Sequence, residues 1–180
     1  DSQYKPSPQM LAGFKTEEDG RLWTLGLRVG LKFHDGEPVR AQDCVASIKR
    51  WSKRDAFGGA LMAATDELSA KDDRTIVFRL NKPEGDFPYL ATATQFAPVP
   101  KAKDTGTGYE NHPISSGPYK IERYEKKKEL VLVRNPHWSR KVDDQRLACP
   151  DRIEVTSGLD AAVINQRLAT GSGADAKAVT

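Results

Sequence analysis

The sequence predicts an α+β (mixed α/β) fold, small β-hairpins and a small mixed sheet with packed helices, on three observations. Residues 21–30, RLWTLGLRVG, alternate apolar and polar with period two, the pattern of a half-buried strand. Residues 44–51 instead place Cys44, Ile48 and Trp51 at i, i+4 and i+7, one stripe of an amphipathic helix. Later strand-like runs are punctuated by charged turns and short helical patterns, with no internal repeat.

Taken in order, residues 1–20 read as a polar lead-in with Pro6, Pro8 and a turn at Glu18-Asp19-Gly20. In the strand that follows, Trp23, Leu25, Leu27 and Val29 share one face and Thr24, Gly26 and Arg28 the other. His34-Asp35-Gly36 and Pro38 come next. Asp-Gly after an alternating strand is a turn signal, since glycine takes φ > 0 freely, so this stretch reads as a strand-to-helix connection. Val45 flanks the helical stripe, and Lys49, Arg50 and Lys53 take the wet side. Asp43 falls in the first turn, where a carboxylate favours the helix macrodipole.

DAFGGALMAATDELSA reads as a loop or short helix of small residues. DELSAKDDRTIVFRLNKP reads as a hairpin turned at Asp72-Asp73, with Ile76, Phe78 and Leu80 on one face. Pro83, Pro88, Pro98, Pro100 and Pro113 keep any helix between 81 and 113 short, and 104–112 read as a loop. SSGPYKIERYEKKKELVLVRNPHW gives strand, charged turn and strand; DRIEVTS a short strand; DAAVINQRL a helix on Ala162, Val163, Gln166 and Leu168.

Composition excludes several classes. With 28 Lys and Arg against 25 Asp and Glu, the net charge is only +3. The basic excess sits in two knots, Lys126–Lys128 and Lys49 to Arg54, which read as a hairpin turn and a helix face, so nucleic acid is not an expected partner. No run reaches the roughly 20 apolar residues of a membrane span, and the polar start suits a mature or trimmed product. Cys44 and Cys149 leave a disulfide open.

Chemistry is weakly signalled. His34, His112 and His137 lack the close ligand spacing with which a zinc site begins. Ser115-Ser116-Gly117 enters a strand, without the Gly-x-Ser-x-Gly elbow, and Cys44 lies on an apolar stripe where a thiol stays protonated. The pairs Asp72-Asp73 and Asp143-Asp144 sit in polar turns, expected to be too wet to raise a pKa for acid catalysis. TGSGAD, 170–175, has no lysine after its glycines and is a poor phosphate loop. No catalytic residue, metal or cofactor is expected.

One resemblance does emerge. LWTLGLRVGLKFHDGEPVRAQDCVASIKRW resembles the signature of the bacterial extracellular solute-binding proteins of the dipeptide and oligopeptide class, family 5, which feed ABC importers. DDRTIVFRLNKP, APVPK, SSGPYKIERYEKKKELVLVRNPHW and DRIEV are similar to further family segments in the same order, from about Trp23 to Val155. Arg40 departs from the family's usual Thr or Ser helix cap, a loss of about 1 kcal/mol unless Asp43 compensates. Cys44 and Cys149 also depart from the usual apolar or aromatic residues.

The resemblance implies a periplasmic-binding-protein-like, two-lobed receptor of which this chain is a fragment. It implies that residues 1–112 are an accessory subdomain of the N-terminal lobe. Residues 113–180 would begin a ligand-facing lobe, with the opposing lobe absent. Such receptors close two lobes on a peptide or similar solute and deliver it to a membrane permease, in the periplasm or outside the cell, lipid-anchored at the surface in some full-length members. The ligand contacts it points to are Ser115, Ser116 and Gly117, where the chain enters that lobe. The reading of those three residues without the resemblance is a strand entry shaped by glycine and proline. Two other classes stay open: a standalone subdomain acting as a protein-interaction module, and a carboxylate-dependent hydrolase.

Overall fold

Alternation in sequence becomes burial in a sheet. Strand β2 (Leu22–Leu27) buries Trp23, Leu25 and Leu27, while Leu22, Thr24 and Gly26 stay half-exposed. Strand β4 (Thr75–Leu80) does the same with Ile76, Phe78 and Leu80. The two pair antiparallel with Trp23 opposite Phe78 and Leu25 opposite Ile76, so both apolar sets face one side. β3 (Thr65–Ala70) pairs with β4, and β1 (Leu11–Glu17) with β2, giving the order β1-β2-β4-β3.

The computed structural model describes residues 5–171. They form two compact units: residues 5–120 with 134–149, and residues 121–133 with 150–171.

In the first unit, helices cover the apolar face of the sheet. α1 (Ala41–Ser52) presents Cys44, Ile48 and Trp51, as its spacing predicts; α2 (Ala56–Ala63) adds Leu61 and α3 (Phe87–Leu90) adds Phe87. The Phe87 ring stands 4.9 Å from Phe78 and 5.2 Å from Trp23, centroid to centroid. Each such fully buried side chain contributes about 1.5–3 kcal/mol of transfer free energy. Gly58 is forced by this packing, for a Cβ there would lie 2.8 Å from Cδ2 of Trp51.

α1 starts without a capping hydroxyl. Asp43 compensates: its Oδ2 accepts the Arg40 N–H at 2.9 Å, while Oδ1 reaches outward to accept the Lys101 N–H at 2.9 Å. Ser47, one turn on, accepts the Val99 N–H at 2.6 Å. Asp43 is therefore a buried tether, 7% exposed, more than a carboxylate beside a helix dipole.

Three expectations are corrected here. The lead-in is not featureless, because Leu11–Glu17 form edge strand β1. Its side chains are mostly exposed, and main-chain pairing with β2 orders it without leaving an apolar pattern. Val29 is not on the buried face but 73% exposed, since β2 ends at Leu27 and Gly30 turns the chain at φ 87°. Residues expected as a loop at 104–112 include a 3₁₀ turn, Gly106–Asn111.

The second unit carries all but the first two residues of β5 (Tyr119–Glu125) and all but the last of β6 (Glu129–Arg134), then β7 (Arg152–Thr156), in the spatial order β5-β6-β7, with α4 (Ala161–Thr170) after them. The lysine knot is the β5–β6 turn, with Lys127 at φ 62°. Gly158 closes on it, φ 76°, so near that a Cβ would sit 2.5 Å from the Lys127 carbonyl. Arg123 grips Glu129 at 2.6 and 3.0 Å, and Arg152 bridges Glu122 and Glu154, both at 2.6 Å. These pairs are exposed and screened by solvent, so they add little to stability. Asp160 caps α4 by accepting the Ala162 N–H at 2.8 Å, and Gly171 ends it at φ 63°. Residues 172–175 of TGSGAD lie outside the described residues.

Two substitutions test this packing by urea unfolding. Asp43→Ala strands two part-buried N–H donors, those of Arg40 and Lys101, and lowers the unfolding free energy by about 2 kcal/mol. Gly58→Ala overpacks against Trp51 and costs about 2 kcal/mol.

Candidate functional site

Ser115, Ser116 and Gly117 lie in an extended strip just before β5, within the first unit. The strip has no regular structure, so its position depends on what its main-chain groups can bond. Upstream, Tyr109 holds Ile114 twice: its hydroxyl donates to the Ile114 carbonyl and accepts the Ile114 N–H, both at 2.9 Å. Tyr109 is held in turn by the Arg50 guanidinium, 5.7 Å from its ring centroid. Arg50 also bonds Asp104 at 3.1 Å and the Gly106 carbonyl at 2.9 Å.

At the strip itself, His34 makes a two-point contact with Ser115. The His34 N–H donates to the Ser115 carbonyl at 2.8 Å, and the Ser115 N–H donates back to Nδ1 of the imidazole at 3.3 Å. The Ser115 hydroxyl donates to the Tyr119 carbonyl at 2.7 Å. Downstream, buried Asn135 takes two carbonyls: its N–H bonds Pro118 and its Nδ2 bonds Gly117, each at 2.8 Å. Its own Oδ1 accepts the His137 N–H at 2.9 Å. Arg146 lies over Gly117, with Nη1 3.2 Å from where a Cβ would be.

What remains matters most. Among the described residues, the N–H and C=O of Ser116 and the N–H of Gly117 have no hydrogen-bond partner, and Ser116 is half-exposed. A short run of fixed, unpaired main-chain groups offers hydrogen bonds to another chain with little ordering cost.

The other candidate residues lie apart from the strip or are committed to local bonds. Among the described residues, no group of three or more His, Cys, Asp and Glu could hold a metal ion. Cys44 is buried, its thiol pushed up to about 12 by burial and the Asp43 charge; Cys149 is exposed, and the two are unpaired. His34-Asp35-Gly36 is a turn, Gly36 at φ 92°, in which Asp35 accepts the Glu37 N–H at 3.1 Å and pairs with Lys103.

Asp143 corrects the expectation of a wet turn tip, being only 2% exposed. Gln9, Trp138 and the Arg146 side chain converge on Oδ2, and the Gln145 and Arg146 N–H groups on Oδ1. Burial alone would raise this carboxyl, but Arg146, Trp138 and Gln9 outweigh it and hold it below the usual carboxylate range. A buried acid so held is a structural anion, not a proton donor. Sequence reasoning missed Asn135 and Asp143 as organisers, because the carbonyls Asn135 donates to lie 17 and 18 residues back and Asp143 draws donors from distant Gln9 and from indole and guanidinium groups with no spacing rule.

These elements make a two-sheet α+β chain with a main-chain strip fixed on both sides. The family model described as bacterial extracellular solute-binding proteins, family 5 Middle, matches residues 5–180, and the chain belongs to that family. It is 42% identical, over 67% of its own length and 23% of the relative's, to a probable peptide ABC transporter periplasmic-binding protein of Sinorhizobium fredii. It is 28% identical to the periplasmic oligopeptide-binding protein OppA of Salmonella typhimurium, covering 87% of this chain and 33% of the other. Among solved structures, clavulanic acid biosynthesis oligopeptide binding protein 2 superposes with a TM-score of 0.84 at 36% identity, over 92% of this chain and 34% of that one. The unliganded open form of the periplasmic murein tripeptide binding protein MppA gives 0.75 at 25%, over 90% and 35%. The chain thus spans between about a quarter and a third of these relatives, from 23% to 35% of their lengths.

Two measurements check the local account. A thiol reagent applied to the native protein labels Cys149 promptly, and Cys44 only after denaturant is added. Asn135→Ala frees the Gly117 carbonyl and the His137 N–H and costs about 2 kcal/mol in urea.

Proposed function

We propose that the chain is part of a receptor that captures peptides, or a similar small solute, for an ABC importer. In this reading residues 1–112 form the accessory subdomain, and residues 113–180 begin a lobe facing the solute. Ser115, Ser116 and Gly117 are the strip the solute meets. The observation that carries it is the strip itself: fixed at Ser115, Gly117 and Pro118 and unpaired at Ser116 and at the Gly117 N–H. An extended peptide backbone supplies the complementary donors and acceptors.

Membership in an extracellular family and the names of the relatives support this assignment, as well as a place in the periplasm or at the cell surface and a membrane permease as the receiving partner. The commitments of the candidate nucleophiles count against a hydrolase. The Ser115 hydroxyl is donated to a carbonyl, Cys44 is protonated, and Asp143 is held ionised.

Solute capture of this kind draws its affinity from burial between two lobes. Titration calorimetry therefore separates the full-length receptor from this 180-residue chain. The full-length protein binds members of a tripeptide library with micromolar or tighter Kd, and the isolated chain shows no micromolar binding. Silence of the full-length protein toward every peptide overturns the substrate class. Micromolar binding by the chain alone overturns the two-lobe requirement.

A further inference from the structure

The contact between His34 and Ser115 constrains a proton. The Ser115 N–H donates to Nδ1 of His34 at 3.3 Å, and an imidazole nitrogen accepts only when it carries no hydrogen. His34 in this fold is therefore the neutral tautomer protonated at Nε2. Imidazolium has N–H donors at both positions, and Nδ1–H would point at the Ser115 N–H. Of the two bonds joining these residues, the main-chain one from His34 to the Ser115 carbonyl does not depend on the ring. The other does.

We propose that His34 is a pH-sensitive latch on the strip 115–117: its neutral ring fixes the Ser115 amide, and protonation releases it. The proposal concerns the strip's order; that the released strip also holds solute less well rests on the function proposed above. The surroundings set the direction. Burial disfavours the charged ring most; Asp35 on the same turn favours it; Lys120 at the start of β5, Lys103 from the 3₁₀ turn Lys101–Lys103 and His137 from the segment after β6 disfavour it. Together they hold the ring below its ordinary value of 6.5. Asp35 is occupied by Lys103, which leaves His34 without a committed counter-charge. An unfolded chain takes up this proton near pH 6.5 while the folded chain resists it. The contribution of neutral His34 is thus complete above that value and is lost as pH falls below it.

Amide exchange and ring shifts of the whole 180-residue chain, followed by NMR from pH 7.5 to 4.5, test the latch without any solute. The Ser115 amide shift follows a single proton with a midpoint under 6.5, coincident with the His34 ring signals. Its protection factor drops about tenfold across that step, as expected for one lost hydrogen bond. His34→Gln, whose side-chain oxygen also accepts, abolishes the pH step. His137→Gln preserves it. The proposal is overturned if Ser115 protection ignores the His34 titration, if the step survives in His34→Gln, or if it vanishes in His137→Gln. A receptor that binds peptides while Ser115 shows no step would sink the latch and leave the function standing. A step without peptide binding would do the reverse.

Discussion

Two prolines leave the segment at 98–101 few main-chain donors, and helix α1 takes those that remain around them. Pro98 and Pro100 have no N–H; Val99 gives its own to Ser47 and Lys101 gives its own to Asp43. This is the constraint from which the rest of the first unit is organised. It places an irregular, proline-rich segment against the helix without a sheet to hold it, and it does so with side chains one turn apart on α1. From that anchor the chain runs to Tyr109, which Arg50 of the same helix steadies, and from Tyr109 to Ile114 and the strip. A loop is positioned to hydrogen-bond precision because every few residues a buried polar group claims its backbone.

The strip exposes main chain more than side chain. Its side chains are a hydroxyl already spent on a carbonyl, a second serine, and a glycine under an arginine. Among the described residues, its open main-chain groups are the N–H and C=O of Ser116 and the N–H of Gly117. Where a catalytic site would push pKa values toward the working pH, the groups here are pushed away from it: the Cys44 thiol upward and the Asp143 carboxyl downward. The Asp143 shift stabilises the fold at neutral pH, whereas the Cys44 thiol is protonated there whether the chain is folded or not.

Elements with a strong period were readable from the sequence. β2, β4 and α1 stand where alternation and the i, i+4, i+7 stripe put them, since burial on one face imposes those patterns. The family was readable too, through collinear turn and strand motifs. β1 was not, because an edge strand with exposed side chains is specified by its neighbour's backbone. Val29 was misplaced because nothing in an alternating run says where pairing stops; Gly30, with φ at 87°, does that. Asp143 was misread because burial depends on donors brought from Gln9 and Trp138, and proximity in space has no local signature. The strip residues were singled out by resemblance alone, and which of their main-chain groups are bonded appears only in three dimensions.

The first unit is assembled from two stretches, and the later one, 134–149, carries Asn135 and Arg146. The groups that fasten Gly117 and Pro118 are therefore synthesised after the strip they fasten. Until the chain has been made through that later stretch, the strip has its upstream moorings alone. A nascent polypeptide consequently has its sheet and α1 within reach while the Gly117 and Pro118 carbonyls still wait for Asn135, so the strip is the last part of that unit to be fastened.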